Sequence, residues 1–217
     1  MAHATSQIIR GEDASGHPCV FKQLRPENAA REDLVLRLQN EARVLSHLAG
    51  VPGVIRLLEV REGPLTLVLE FADGGSLEDR LRGVLRPRNR RRIAIELLTV
   101  VAACHARGVM HRDIKPSNLL FIGASLRLAD FGIAAWGNPR RALPEGWEED
   151  EVGTPPWSAP ELRRHATAAV SPAVDVYGVA MTLTALLGDA ASESVVAARS
   201  ENPARRPSLE ELTRSLA

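Results

Sequence analysis

The densest chemistry in this sequence lies in residues 109–132, VMHRDIKPSNLLFIGASLRLADFG, which carry Asp113, Lys115, Asn118 and Asp130. A carboxylate, an ammonium, an amide and a second carboxylate, in that order, suit the transfer of a phosphoryl group. Mg²⁺ takes hard oxygen ligands, a base must orient a hydroxyl, and a cation must meet the moving phosphate. The elements that position these groups can be read locally. A turn leads into a short strand over 119–122, Gly123 turns the chain, and a second strand follows over 126–129. A hairpin of that size sets Asp113 and Asn118 at one mouth of a cleft and brings Asp130 back to it.

His111-Arg112-Asp113-Ile114-Lys115-Pro116-Ser117-Asn118 resembles the catalytic loop of protein kinases, and Asp130-Phe131-Gly132 resembles their D-F-G motif. Three residues recur by chance; the eight-residue loop followed at the family's distance by D-F-G is far more specific. Taken alone, the stretch could also be a hairpin with a solvated charged turn. The resemblance implies that Asp113 orients the substrate hydroxyl and accepts its proton, that Lys115 steadies the γ-phosphate of ATP, and that Asn118 and Asp130 hold Mg²⁺. It makes Leu120 the floor under adenine and stacks His111 on Phe131 as internal support. Lys115, two places after Asp113, is the Ser/Thr-kinase version of the loop.

Of the 27 basic residues only two are lysines, Lys22 and Lys115. Lysine is a compact point charge and arginine a planar fork, so a phosphate site built for one rejects the other. Both lysines fall where the kinase pattern requires one. Lys22 sits in Cys19-Val20-Phe21-Lys22, after a hairpin predicted from 6–10 and 19–24, and resembles the lysine that pairs with the ATP phosphates. A helix is predicted over 31–48, with Leu34, Leu38, Ala42, Leu45 and Leu48 on one stripe. Glu41 in that helix matches the glutamate that holds the lysine; its plain alternative is a solvated helix charge.

The chain departs from the family before Lys22. A G-x-G-x-x-G loop should precede it, yet only Gly11 and Gly16 do, both in the hairpin turn, so the first strand and the phosphate-covering loop are expected to be missing. Strands are predicted over 54–60 and 65–71. Residues 67–72 resemble the hinge between lobes, with Leu69 as gatekeeper and the backbones of Glu70 and Ala72 facing the adenine edge. Ser76 is expected to cap a short helix. A buried helix is predicted over 86–107, with a structural His105; its basic start at 86–92 could be a partner patch, though a solvated helix start is the favoured reading.

Residues 133–153 correspond to the activation loop and contain no Ser, Thr or Tyr. Glu148-Glu149-Asp150-Glu151 could replace a phosphate there and pair with Arg112, or could be a solvated acidic loop. Residues 153–161, GTPPWSAPE, resemble the segment that receives a peptide substrate, with Thr154 bonding Asp113 and Lys115 and Trp157 in place of the usual Tyr. Asp175 matches the buried aspartate that braces the catalytic loop, at the head of an apolar helix over 176–187. Asn202-Pro203-Ala204-Arg205-Arg206-Pro207 resembles a late family motif whose Arg206 pairs with Glu161. The stretch from Asp175 to Arg206 is much shorter than in the family, which implies a deleted helix in a region that docks substrates.

A length of 217 residues suits one domain or two joined lobes, and the net charge of zero argues against an electrostatic nucleic-acid binder. No apolar run is expected to span a membrane, the start has no signal-peptide pattern, and two cysteines make neither a disulfide framework nor a metal site, which points to a reducing cytoplasm. The expected fold is α+β and protein-kinase-like. It comprises an N-lobe over 1–72, with a small antiparallel sheet and one helix, and a mainly helical C-lobe over 73–217. The expected activity is ATP- and Mg²⁺-dependent phosphorylation of Ser or Thr in a protein substrate. The alternatives are a catalytically dead binding or scaffold module and, less favoured, a small-molecule kinase.

Overall fold

The computed structural model describes residues 5–136, 153–164 and 171–216. Strands β1 (Ser6–Glu12) and β2 (Pro18–Leu24) form the expected hairpin, with Ile8 opposite Lys22. Strands β3 (Leu57–Arg61) and β4 (Thr66–Glu70) complete an antiparallel sheet in the order β1-β2-β4-β3. These four strands, with β1 at the edge, are all the sheet contains among the described residues. The strand predicted to start at residue 54 begins at Leu57. Val54 instead makes a lone parallel bridge to Leu128, and the Ile55 N–H bonds the Leu128 carbonyl at 2.9 Å. The sheet is thereby stitched directly to the hairpin that bears the chemistry.

Helix α1 (Glu32–His47) buries the predicted stripe and, with it, Glu41. Helix α2 (Leu77–Leu81) starts at Ser76, whose hydroxyl accepts from the Asp79 N–H while the Asp79 carboxylate accepts from the Ser76 N–H. This reciprocal cap satisfies two donors that a helix start otherwise leaves open. Helix α3 (Pro87–Ala106) buries Ile93, Leu97, Val100, Val101 and Cys104. Its basic start does more than meet solvent. Arg90 donates to the Leu85 and Leu186 carbonyls, Arg91 to Leu216 and Arg92 to Ala124. The planar guanidinium, with several fixed donors, ties chain ends and turns to the helix in a way an ammonium could not.

The two-residue strand β5 (Val109–Met110) enters the catalytic stretch, β6 (Leu119–Ile122) and β7 (Ser125–Leu128) form its hairpin, and β8 (Ala135–Trp136) returns to pair with β5. Helices α4 (Pro160–Arg164), α5 (Ala173–Leu187), α6 (Glu193–Ala197) and α7 (Leu209–Ser215) follow. Helix α5 starts three residues earlier than predicted, which puts Asp175 in its first turn. One apolar cluster runs from Leu38, Leu45 and Leu67 through Leu119 and Leu128 to Leu97, Leu183 and Leu212, so sheet and helices share a core. Residues 173–190 are long and apolar enough, by length and composition alone, to cross a membrane, a test that a core helix also passes, and half of that stretch is buried inside the protein. Cys19 and Cys104 are free and buried.

Candidate active site

Strand β2 aims Lys22 at helix α1, where its ammonium donates to Glu41 Oε2 at 2.6 Å, and at Asp130 Oδ1, 2.8 Å away. Lys22 and Glu41 are nearly enclosed, whereas the Asp130 side chain is 47% exposed. Burial pulls the Lys22 ammonium down, but Asp130 and then Glu41 outweigh it and the net shift is upward. Burial raises the Glu41 carboxyl to about 6 against the opposing pull of Lys22, with Asp130 adding to the rise. The Lys22 charge holds Asp130 down to about 2. The two ends of the Lys22–Glu41 pair thus point opposite ways. One cation between two anions resolves this: the cation is doubly held, and the more buried, half-bonded acid is the one that takes a proton first.

The Asp113 carboxylate is divided between two jobs. Its Oδ2 accepts from Lys115 Nζ at 2.7 Å and from Asn118 Nδ2 at 3.1 Å, while Oδ1 is buried without a partner among the described residues. Lys115 also donates to the Thr154 hydroxyl. The expected contact of Thr154 with Asp113 is therefore indirect, through the shared ammonium. The Asn118 amide nitrogen is committed to Asp113, at 2.8 Å from its carbonyl as well, which leaves the amide oxygen for a further ligand.

Buried groups set the loop's shape. Asp175 accepts from the Arg112 N–H at 2.7 Å and the His111 N–H at 2.8 Å, and His105 Nε2 lies 2.7 Å from the same carboxylate. These bonds outweigh the burial that would raise its pKa, and the net shift is downward. Burial lowers the Arg112 guanidinium to about 10, with Asp175 opposing. His111 Nε2 lies 3.0 Å from the Ala129 carbonyl, and its ring meets Phe131 edge-on at 4.6 Å. Arg112 and Asp130 hold φ of 70° and 67°, a left-handed backbone that costs on the order of 1 kcal/mol for residues with a Cβ. Arg112 directly precedes Asp113, and Asp130 is itself one of the groups expected to hold the metal. Arg206 pairs with Glu161 as expected.

A cavity of about 720 Å³ opens between the sheet and the β6–β7 hairpin, within the size range of small-molecule sites. Leu69, Ala72, Leu120, Asn118 and Asp130 line it, together with Lys22. Glu70 lines it too, but its N–H bonds the Arg56 carbonyl and its carboxylate pairs with Arg56 and Arg127. Its N–H is therefore not available to a ligand. Ile8, Val20 and Ile55 were not singled out in the sequence, yet they form apolar walls of this cavity. Val20 could have been found by period-two alternation from Lys22; Ile8 needed the strand register. An adjoining hollow of about 380 Å³ shares Lys22, Glu41, Lys115 and Asp130 and adds Asp113 and Thr154. An apolar chamber therefore meets a charged one at Lys22 and Asp130. A hollow of about 600 Å³ behind α1 is lined by none of Lys22, Glu41, Asp113, Lys115, Asn118 and Asp130.

The Glu148–Glu151 run lies outside the described residues, as does most of the segment that contains it.

An α+β fold with this two-chambered, oxygen-rich cleft defines a phosphotransferase-like architecture. The family model for the protein kinase domain matches residues 4–213, and the chain belongs to that family. It is similar to CBL-interacting protein kinase 19 of Oryza sativa subsp. japonica, 37% identical over 168 residues that cover 75% of this chain and 32% of the relative. It is also similar to calcium-dependent protein kinase 2 of Arabidopsis thaliana, 32% identical over 184 residues that cover 81% of this chain and 27% of the relative. The chain thus spans about a third or less of the length of these relatives.

Proposed function

We propose that this chain is an ATP- and Mg²⁺-dependent protein kinase domain that transfers the γ-phosphate to Ser or Thr hydroxyls. The observation that carries this reading is the divided Asp113 carboxylate. One oxygen is fixed by Lys115 and Asn118, the other is buried with no hydrogen-bond partner among the described residues, and the residue lines the hollow that it shares with Lys22 and Asp130. A base whose second oxygen is anchored can orient a hydroxyl and take its proton without reorganising.

The residues fit a divalent cation held jointly with phosphates. No group of three His, Cys, Asp or Glu side chains is placed to hold a metal by itself among the described residues. Mg²⁺ seldom needs one, since one or two protein oxygens plus phosphates suffice. The Asn118 amide oxygen and the free oxygen of Asp130 would hold it, and when bound it would neutralise charge on the phosphate oxygens. Leu69, Leu120, Val20 and Ile8 enclose the base, with the Glu70 carbonyl and the Ala72 backbone at its polar edge. Lys22, steadied by Glu41, meets the α- and β-phosphates. Lys115 bridges base and acceptor site and meets charge on the transferred group, while Thr154 orients Lys115.

The 153–161 segment supports a protein substrate, and Lys115 with Thr154 supports Ser/Thr over Tyr. The zero net charge favours no nucleic-acid partner. We place the boundary between the two lobes at residues 72 and 73, and the two free buried thiols suit a reducing cytoplasm.

The test is incubation with labelled ATP, Mg²⁺ and a generic protein substrate, alongside Lys22→Met and Asp113→Asn. Asp113→Asn should lose ~10²–10⁴-fold in rate while ATP still raises its melting temperature. Lys22→Met should lose both. Label that is absent, or equal in all three, would replace this reading with the binding or scaffold module.

A further inference from the structure

Asn40 immediately precedes Glu41 in helix α1 and faces another part of the site. Its side-chain nitrogen lies 2.9 Å from the Ala134 carbonyl, 3.1 Å from Gly132 and 3.4 Å from Phe131. One amide therefore reaches three main-chain carbonyls of the segment that follows Asp130. An amide nitrogen carries two hydrogens, so the bonds are shared, with Ala134 and Gly132 the better placed. The orientation is forced by chemistry. Turning the amide over would set its oxygen against three carbonyl oxygens.

We infer that Asn40 is a positioning residue that clamps the backbone of residues 131–134 to helix α1 and so holds Asp130 beside Lys22 and Asn118. Consecutive residues of one helix then fix both cations and anions of the site. Glu41 sets Lys22 by its side chain, and Asn40 sets the Asp130 segment by its backbone. Asp130 needs such a hold. Its backbone is left-handed, its side chain is half exposed, and apart from Lys22 it makes no side-chain hydrogen bond among those described. Farther along the same helix, His47 stacks on Trp136 at 4.2 Å and Arg43 lies over that ring at 5.8 Å. The inference deepens the proposed kinase reading: Asn40 would govern use of the metal-bound phosphates and leave the base pocket alone, since Leu69, Val20 and Leu120 lie on other elements.

The test uses the full chain as Asn40→Ala, Asn40→Asp and Asn40→Gln. Alanine is a better helix former than asparagine, so Asn40→Ala does not weaken α1 itself. In the ligand-free protein, hydrogen exchange at the Ala134 amide, which bonds the Phe131 carbonyl at 3.0 Å, should speed up at least tenfold in Asn40→Ala and more in Asn40→Asp. Adenosine affinity should stay within about twofold of wild type. The Mg²⁺ concentration for half-maximal phosphate transfer should rise at least fivefold. Asn40→Gln, which keeps the amide, should recover part of both effects. Unchanged exchange in Asn40→Ala would overturn the clamp. So would equal weakening of adenosine and Mg·ATP, which marks general damage to the fold. Should wild type bind no Mg·ATP, the kinase reading fails, and exchange at Ala134 still decides whether Asn40 holds the segment.

Discussion

Lys22 Nζ lies 2.6 Å from Glu41 Oε2, and the other oxygen of that carboxylate, Oε1, is buried with no hydrogen-bond partner among the described residues. An acid bonded on one side only, with Asp130 nearby, favours its protonated form more than the same acid in water. Its value rises from the ordinary 4.5 to about 6. The sign follows from linkage: the folded state holds this proton more tightly than the unfolded chain. Glu41 therefore adds stability below pH 4.5 and loses it as pH rises through 6, on the order of 2 kcal/mol. Asp130, depressed to about 2, adds stability above 3.8 that goes only as pH falls towards 2. Phosphate transfer should thus fall away below pH ~6 while the melting temperature holds or rises between pH 7 and 5. Glu41→Gln should abolish that rise. A melting temperature that drops in step with activity would contradict this.

Asp175 holds two buried N–H groups and one imidazole. Replacement by Ala leaves those donors without an acceptor, and unmet buried donors cost ~1–3 kcal/mol each. Urea unfolding should register a loss of ~3–5 kcal/mol for Asp175→Ala and clearly less for Asp175→Asn, which keeps one acceptor oxygen. Activity should fall in both, because the loop carrying Asp113 loses its brace.

Arg206 is fully enclosed and spends its guanidinium on four bonds. Two go to Glu161, at 2.6 and 2.7 Å, and one each to the carbonyls of Ala173 and Ser200. Lysine keeps the charge but cannot copy this planar fork. Arg206→Lys should cost ~2–4 kcal/mol. In a double-mutant cycle with Glu161→Gln, the two losses should sum to more than the double mutant shows.

At Gly178 on α5, an added Cβ would sit 3.0 Å from the Ile114 carbonyl oxygen and 3.1 Å from the Ile114 Cβ. Ile114 lies between Asp113 and Lys115, so the helix backbone touches the catalytic loop directly. Alanine is the better helix residue, yet Gly178→Ala should destabilise by ~1–3 kcal/mol through overpacking. It should also slow phosphate transfer, whereas an equally stable enzyme with full activity would show that the loop yields freely.

The reacting residues were legible because short-range chemistry fixes their order. Asp113, Lys115 and Asn118 occupy one loop, and the β6–β7 hairpin delivers Asp130 by local strand pattern and a glycine turn. The lysine census located Lys22 for a different reason: a chain that uses arginine everywhere else retains an ammonium only where a fork does not fit. The helix that bears Glu41 was legible from its apolar period. That period could not say that Glu41 would be buried with half its carboxylate unmet, because burial depends on what packs above it.

Non-local register settled the rest. Ile8 becomes a wall of the cleft only because it pairs with Lys22, and the Glu70 N–H is lost to a ligand only because Arg56 crosses it. The arginines of α3 read as a solvated run until the carbonyls of Leu186, Leu216 and Ala124 come within reach, from as far as 125 residues away. Asn40 carries no signal in the sequence beyond being a polar residue in a helical stretch. The sequence by itself determined which groups could do chemistry, since that depends on residue type and near neighbours. Only the tertiary structure decided which oxygen of each carboxylate is free and which side chain holds Asp130 in place, since those depend on contacts between segments that the chain order leaves far apart.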